Sequence, residues 1–249
     1  TEELEEFLAS GKADIAVHSA KDMQSELPEG FELISLTERE SVHDVLISNK
    51  SVDMDVPFTI GTSSTRRVAL LKHHYPHLNT SAIRGNLQTR IRKMEEGACD
   101  ALMLAYAGVH RMGYDHLIRH EFPADIFTPP AGQASIGIES HKQLDPEKKS
   151  FIIHTLNHPG TALAIGAERA FLKKLEGGCS IPSFAFAELH DVNITMTCGL
   201  ISLDGQKIIR KDGTTTFEQG EKLGTDLAIA LLEDGGESLL QDIKSIQDE

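Results

Sequence analysis

The chain has 249 residues, more than a single ordinary domain needs, since domains run to roughly 100–200 residues. Hydrophobic residues make up 40% and charged residues 25%, a composition that excludes a disordered or fibrous chain. The longest apolar run, 101–109, is much shorter than the roughly 20 residues that span a bilayer. The net charge of −14 repels nucleic acid and anionic membranes, so neither is expected as a partner.

The cysteine count favours a reducing compartment. The cysteines are odd in number, widely spaced and without a C-x-x-C pair: Cys99, Cys179 and Cys198. This pattern argues against a disulfide framework and a structural zinc site and predicts a cytoplasmic protein. The closest histidines, in 73–77, are interrupted by Pro76, so no metal site is predicted and solvated or capping histidines are favoured.

In the first half of the chain, predicted strands alternate with helices. In order these are a helix over 2–10, strands over 13–17, 31–36, 45–48 and 58–60, a helix from about 65 to 73, a strand over 81–83, a helix from 87 to 97, a strand over 101–105 and a short helix ending near 113. Such alternation predicts parallel β-α-β units, and therefore an α/β sheet covered on both faces.

The second half has a different pattern. Residues 128–132 form a hinge candidate rich in proline and glycine, and extended structure resumes at 135–139. Beyond it, the predicted elements are a helix over 161–175, strands over 185–189, 192–203 and 206–211, and helices over 219–232 and 237–246. An Asp204-Gly205 turn joins the last two strands as a hairpin. The C-terminal part therefore reads as a separate α+β domain.

Three clusters of polar residues follow predicted strands, where ligands of α/β sheets bind. They are Lys21-Asp22, Ser63-Ser64-Thr65-Arg66-Arg67, and Arg84-Gly85-Asn86 with Arg90 farther along. Arginines in the first turn of a helix oppose its dipole, and a guanidinium matches two carboxylate oxygens at once. The clusters therefore indicate a site for an anion with several carboxylates or phosphates. The alternative is that these arginines pair with acidic side chains on a solvated surface.

Cys179 is a second candidate. It follows two glycines, which allow a solvent-reachable thiol. Cys99 and Cys198 stand in apolar, strand-like surroundings that are typical of inert core thiols. Position alone leaves open whether Cys179 has a chemical or only a structural role.

Six segments in register resemble one family over essentially the whole chain: ADIAVHSAKD, GTSSTRR, IRGNLQTR, AGVHRMG, AGQASIGIE and AERAFLKKLEGGCSIP. The family is porphobilinogen deaminase (hydroxymethylbilane synthase). The resemblance implies two α/β domains of the type II periplasmic-binding-protein kind and a small C-terminal α+β domain. The implied domains are 1–38 with 132–155, 39–131, and 156–249. The family's opening β-α-β segment has no counterpart here, so the first domain is expected to be incomplete.

The resemblance also implies a transferase that condenses four porphobilinogen molecules head to tail into hydroxymethylbilane and releases ammonia, in tetrapyrrole biosynthesis. A dipyrromethane cofactor in thioether linkage to Cys179 would prime the chain, and Asp22 would be the catalytic carboxylate. The remaining implied site residues are Lys21, Ser64, Arg66, Arg67 and Arg84 for the cofactor, and Arg90, Arg111 and Gln133 for substrate. A monomer without a metal is expected.

Some positions depart from the family pattern. Gln24 stands where a proline is usual, which is expected to loosen the loop after Asp22, and Phe184 is expected to crowd the cofactor loop. Two other hypotheses stay open: a truncated or inactive homologue, and a two-lobed binding protein for small carboxylates.

Overall fold

The computed structural model describes residues 2–175 and 181–248. The strands in these residues are β1 (Ala16–Ser19), β2 (Phe31–Leu36), β3 (Asp44–Ile47), β4 (Thr59–Gly61), β5 (Asn79–Ser81), β6 (Ala101–Ala105), β7 (Ile118–Glu121), β8 (Ile136–His141), β9 (Ser183–His190), β10 (Asn193–Ile201) and β11 (Ile208–Thr216). They form three sheets, in the orders β1-β8-β2, β5-β4-β6-β3-β7 and β11-β10-β9.

The α-helices of the same residues are α1 (Glu2–Ala9), α2 (Thr65–His74), α3 (Leu87–Glu95), α4 (Tyr106–Arg111), α5 (Pro146–Leu156), α6 (Pro159–Leu175), α7 (Gly220–Leu231) and α8 (Glu237–Asp248). Side-chain caps begin several of them. Ser64 accepts the N–H of Arg67 at the start of α2, and Asn86 accepts the N–H of Thr89 at the start of α3. Within the described residues, no helix is both long and apolar enough to cross a membrane.

Strand direction corrects the prediction of parallel units. The first sheet is antiparallel throughout, and in the second only β4 runs parallel to its neighbours β5 and β6. β3 is antiparallel to both β6 and β7. The prediction is confirmed for β4, β5 and β6, which α2 and α3 connect, and it is wrong for the other strands. Alternation of helices and strands does not reveal where the chain crosses between sheets. β3 and β8 each enter a sheet after such a crossing, and each is antiparallel to its neighbours.

Two elements were not predicted, and two strands lie elsewhere than expected. Strand β7 and helix α5 have no counterpart among the predicted elements. The strands predicted at 13–17 and 81–83 lie instead at Ala16–Ser19 and Asn79–Ser81. Helix α5 has no buried residue and exposes 70% of Phe151. In its sequence, most of the apolar residues are consecutive, at 151–153, so they do not form the stripe that identifies a helix.

The C-terminal unit confirms the predicted α+β domain. On β10, Ile194, Met196 and Cys198 alternate toward a core covered by α6 and α7. Gly224 on α7 lies against the backbone of Ala167 on α6, where a side chain would collide. The two helices therefore pack closely over the third sheet.

A buried carboxylate joins this domain to the connections between the first two sheets. Glu168 on α6 is completely buried and accepts two hydrogen bonds from Arg39, at 2.7 and 3.0 Å. It also accepts the peptide N–H groups of Gly132 and Ala187, both at 2.8 Å. Because Arg39 and Gly132 lie on the two connections between the first and second sheets, one carboxylate holds both connections to the third.

Candidate active site

A cavity of about 790 Å³ is formed by residues from all three units. Its lining includes five cations and two carboxylates: Lys21, Arg66, Arg67, Arg90 and Lys173, with Asp22 and Glu26. The wall is therefore cationic, although the chain as a whole carries a net charge of −14. Such a concentration of positive charge in a concave surface attracts anionic ligands.

Lys21 and Asp22 lie in a single 3-10 turn, Ala20–Asp22, directly after β1. Gly132, with φ of 76°, lies against the backbone of Ala20 and Lys21, where a Cβ atom would come within 3 Å. Only glycine combines that backbone conformation with so close an approach. The Nζ atom of Lys21 donates to Oε1 of Gln133 at 3.2 Å. The turn is thus fixed against the segment that enters β8.

Behind the cavity wall, Asp44 organises two arginines. Its carboxylate is completely buried and accepts from Nη2 of Arg66 at 2.6 Å and from Nη2 of Arg67 at 2.8 Å. Gln133 donates to the same carboxylate at 3.1 Å and to the carbonyl of Val42 at 2.7 Å. Burial would raise the pKa of Asp44, but the two guanidinium groups outweigh it and hold the pKa well below its usual range.

This network holds two cations with one anion, so it keeps an excess positive charge. Arg66 is 3% exposed, and its Nε atom has no acceptor among the described residues. Ser63 and Ser64 precede α2 and line the same cavity, so the positive end of the helix dipole adds to the charge of the arginines. The arrangement suits a ligand with several carboxylates.

The structure brings most of the predicted site residues to this cavity. Those that line it are Lys21, Asp22, Ser64, Arg66, Arg67, Arg90 and Gln133. Arg84 is exposed and Arg111 donates to the carbonyl of Ala134 at 2.9 Å, and neither lines the cavity. Cys179 lies outside the described residues. The ligand-binding roles of all these residues stay predictions.

Sequence reasoning missed Asp44. It begins the strand DVLI, and the predicted strand started one residue later, at Val45. The signal available in the sequence was a single acidic residue directly before the apolar run 45–47. The structure shows that this run is completely buried. Such a residue requires a buried cationic partner.

Two family models match the chain. Residues 1–149 match the model described as porphobilinogen deaminase, dipyromethane cofactor binding domain, and residues 162–233 match porphobilinogen deaminase, C-terminal domain. The chain is 54% identical to the porphobilinogen deaminase of Desulfosudis oleivorans, over 99% of this chain and 81% of that relative. The chain belongs to the porphobilinogen deaminase family. It is also 53% identical to the porphobilinogen deaminase of Cytophaga hutchinsonii, over 98% of this chain and 79% of that one.

Membership of this family supports the predicted fold class, two α/β domains of the periplasmic-binding-protein kind and a small α+β domain. Among solved structures, the periplasmic VFT2 domain of Bordetella pertussis BvgS is similar at a TM-score of 0.38 and 17% identity, over 65% of this chain and 69% of that one. That likeness is too weak to bear on the fold.

The cavity fits the cofactor that the family model names. A dipyrromethane built from two porphobilinogen units carries four carboxylates, and it needs a cationic pocket with unused donors. The cavity provides Lys21, Arg66 and Arg67, and the Nε atom of Arg66 is a buried donor without an acceptor among the described residues. The side chains of the described wall therefore suit a multiply charged pyrrole ligand.

Proposed function

We propose that the chain is a hydroxymethylbilane synthase, which condenses four porphobilinogen molecules head to tail and releases one ammonia for each. The observation that carries this proposal is the position of Asp22, an exposed carboxylate on the wall of a cavity otherwise rich in cations. Porphobilinogen matches both features, because it carries two carboxylates and becomes a cation when it loses ammonia. The family assignment supports the same activity.

The cations of the wall bind substrate and product carboxylates. Arg66 and Arg67 are kept in place by Asp44, so they present positive charge without reorganising when a ligand arrives. Arg90, with Nε donating to the carbonyl of Gly85 at 2.7 Å, is held at the rim of the same wall. Arg84 and Arg111 take part only if the cleft changes shape as the pyrrole chain grows.

Asp22 performs the proton chemistry and stabilises positive charge. Its carboxylate accepts hydrogen bonds from pyrrole N–H groups and offsets the cation that forms when ammonia leaves. The hydrogen bond from the neighbouring Lys21 to Gln133 restricts the rotation of the lysine side chain. The two residues thus have different roles in this proposal: Asp22 interacts with the pyrrole nitrogen, and Lys21 binds carboxylates.

When bound, the dipyrromethane supplies the acceptor pyrrole for the first addition. Lys21, Ser64, Arg66 and Arg67 would hold its carboxylates, and the thiol of Cys179 would carry the thioether. The two described thiols are poor candidates for that bond. Burial raises the pKa of Cys198 to about 12 and also raises the pKa of Cys99, so both stay protonated and unreactive near neutral pH.

Intact mass tests the attachment. The purified chain is expected to carry an adduct of two pyrrole rings, and Cys179→Ser is expected to lose the adduct and all turnover. Cys99→Ser is the control and should keep the adduct. An unmodified wild-type chain that binds porphobilinogen without releasing ammonia would instead indicate a binding protein, and one that does neither an inactive homologue.

The pH dependence of substrate capture tests Lys21. Burial, reinforced by Arg67, lowers the pKa of Lys21 to about 8, so its positive charge is present at pH 7 and is lost as the pH rises through 8. We expect kcat/KM for porphobilinogen to fall between pH 7 and 9 in the wild type. Lys21→Gln should be about tenfold lower at pH 7 and should lack this step. A wild-type profile retained in Lys21→Gln would contradict the assignment.

The enzyme is further proposed to act as a monomer in the cytoplasm. The two described cysteines are free and buried, as is usual in a reducing compartment. Gel filtration with light scattering over a range of protein concentrations would test the oligomeric state.

A further inference from the structure

The loop that follows Asp22, residues 23–28, has little structure of its own. Among the described residues, the peptide N–H groups of Gln24, Ser25 and Glu26 find no acceptor. The nearest turn contact is a long one, from the N–H of Met23 to the carbonyl of Ala20 at 3.4 Å. The loop lines the cavity, so its position determines the shape of the wall beside Asp22.

Contacts from helix α6 hold this loop from outside. Nη2 of Arg169 donates to the carbonyls of Gln24 and Ser25, at 2.8 and 3.0 Å. One turn later, Nζ of Lys173 lies 2.7 Å from the carboxylate of Glu26. Residues four apart share one face of a helix, so both cations reach the same loop.

The two contacts differ in how strongly they hold the loop. Lys173 and Glu26 are both more than half exposed, and such an ion pair contributes little. Arg169 is half-buried beside a second cavity, of about 420 Å³, which Ser25 also lines. Its two hydrogen bonds are charge-assisted and end on consecutive carbonyls, a geometry that fixes the direction of the chain. Met23 at the start of the loop is held by burial of its side chain, and Arg169 is the main polar restraint on residues 24–26.

Helix α6 also precedes the proposed attachment residue in the sequence. It ends at Leu175, four residues before Cys179 in the sequence, and it carries the carboxylate of Glu168 that holds the inter-sheet connections. Movement of α6 would therefore shift the loop after Asp22 through the same side chain, Arg169.

We propose that Arg169 is a positioning residue for the condensation reaction: from the C-terminal domain it holds the loop 23–28 and so keeps Asp22 and Lys21 in their working positions. This inference rests on the proposed function, since it assigns Arg169 an effect on that activity. Among the described residues, the side chain of Arg169 donates its hydrogen bonds to this loop, so it acts through Asp22.

Arg169→Met removes the guanidinium and keeps an apolar stem. We expect kcat to fall about 10- to 100-fold, because a displacement of about 1 Å in a reacting group has an effect of that size, while KM changes much less. Cleavage after Glu26 by a glutamate-specific protease, measured on the native protein, should become about tenfold faster. Lys222→Met is the matched control, since Lys222 pairs with Asp226 on the exposed face of α7.

A second substitution separates positioning from a general structural role. Gln24→Pro restricts the loop locally, and two features suit a proline there: Met23 is extended, at φ −78° and ψ 145°, and the N–H of Gln24 has no acceptor among the described residues. Added to Arg169→Met, it should recover about two- to fivefold in kcat and slow the cleavage after Glu26, while changing the wild type little.

The outcomes are distinct. Unchanged kcat and unchanged loop cleavage in Arg169→Met would overturn the proposal. So would a loss of activity that follows a general fall in thermal stability and is not recovered by Gln24→Pro. If the wild type does not consume porphobilinogen, the proposed function fails, and the protease measurement still decides whether Arg169 restrains the loop.

Discussion

Asp22→Asn should leave the protein folded and reduce ammonia release from porphobilinogen by about 10²- to 10⁴-fold, the range typical of a lost acid–base group. Asparagine keeps the size of the side chain but carries no negative charge and cannot act as an acid or a base near neutral pH. The cavity wall would then be more cationic, so we expect substrate to bind at least as well while the step that forms a cation slows. Ammonia release and product absorbance, measured with saturating porphobilinogen, would give the effect on kcat.

The control for this result is Glu29→Gln, because Glu29 is an exposed carboxylate nearby in sequence that does not line the cavity. It should keep wild-type turnover. Near-normal turnover in Asp22→Asn, with the pyrrole adduct present by mass, would eliminate the role assigned to Asp22. Loss of the adduct would instead place Asp22 in cofactor assembly.

Asp44→Asn should be among the most destabilising substitutions in the chain. The substitution removes the carboxylate that pairs with Arg66 and Arg67, and among the described residues these arginines have no other carboxylate partner. Both arginines are buried. Removing one partner of a buried ion pair costs about 3–5 kcal/mol, since an uncompensated charge stays in the interior. Urea unfolding at pH 7 would measure the loss. Asp226→Asn, which breaks an exposed pair four residues apart on α7, should cost about 0.3–0.5 kcal/mol.

The contribution of Asp44 should also depend on pH with a definite sign. Because the pKa of Asp44 is lower in the folded protein than in the unfolded chain, the carboxylate stabilises the fold above the unfolded pKa. That contribution is lost as the pH falls below about 4, where the unfolded carboxyl begins to bind a proton. The difference in stability between wild type and Asp44→Asn should therefore be constant from pH 5 to 8 and shrink at lower pH. A difference that grows on acidification would contradict the assignment.

Local patterns were sufficient for much of the fold. Strands such as Ala101–Ala105 are continuous apolar runs, and helices such as α2 and α3 begin at side chains that cap them. These signals arise from contacts within a few residues, and they are readable without knowing what packs against them. Elements whose apolar face is weak, such as α5, left no comparable pattern.

The site was predictable to the extent that its residues follow strands. Lys21-Asp22 and Ser64 to Arg67 come directly after β1 and β4, and the ends of strands meet where a sheet binds its ligands. The same rule also selected Arg84, which is exposed and does not line the cavity. A position near the end of a strand does not determine which way the side chain points, because that depends on the packing of the neighbouring helix.

The resemblance of six short segments was enough to identify the family, and residue types and their spacing were enough for the α/β character and most of the cationic cluster. The partners of those residues were not accessible in this way. Lys21 meets Gln133 from 112 positions away, Arg39 meets Glu168 from 129, and Arg169 meets Gln24 from 145. Contacts over such distances leave no periodic trace in the chain, because they form only when separate sheets and helices pack together. The balance of charge around Asp44 and the restraint on the loop after Asp22 are consequences of that packing.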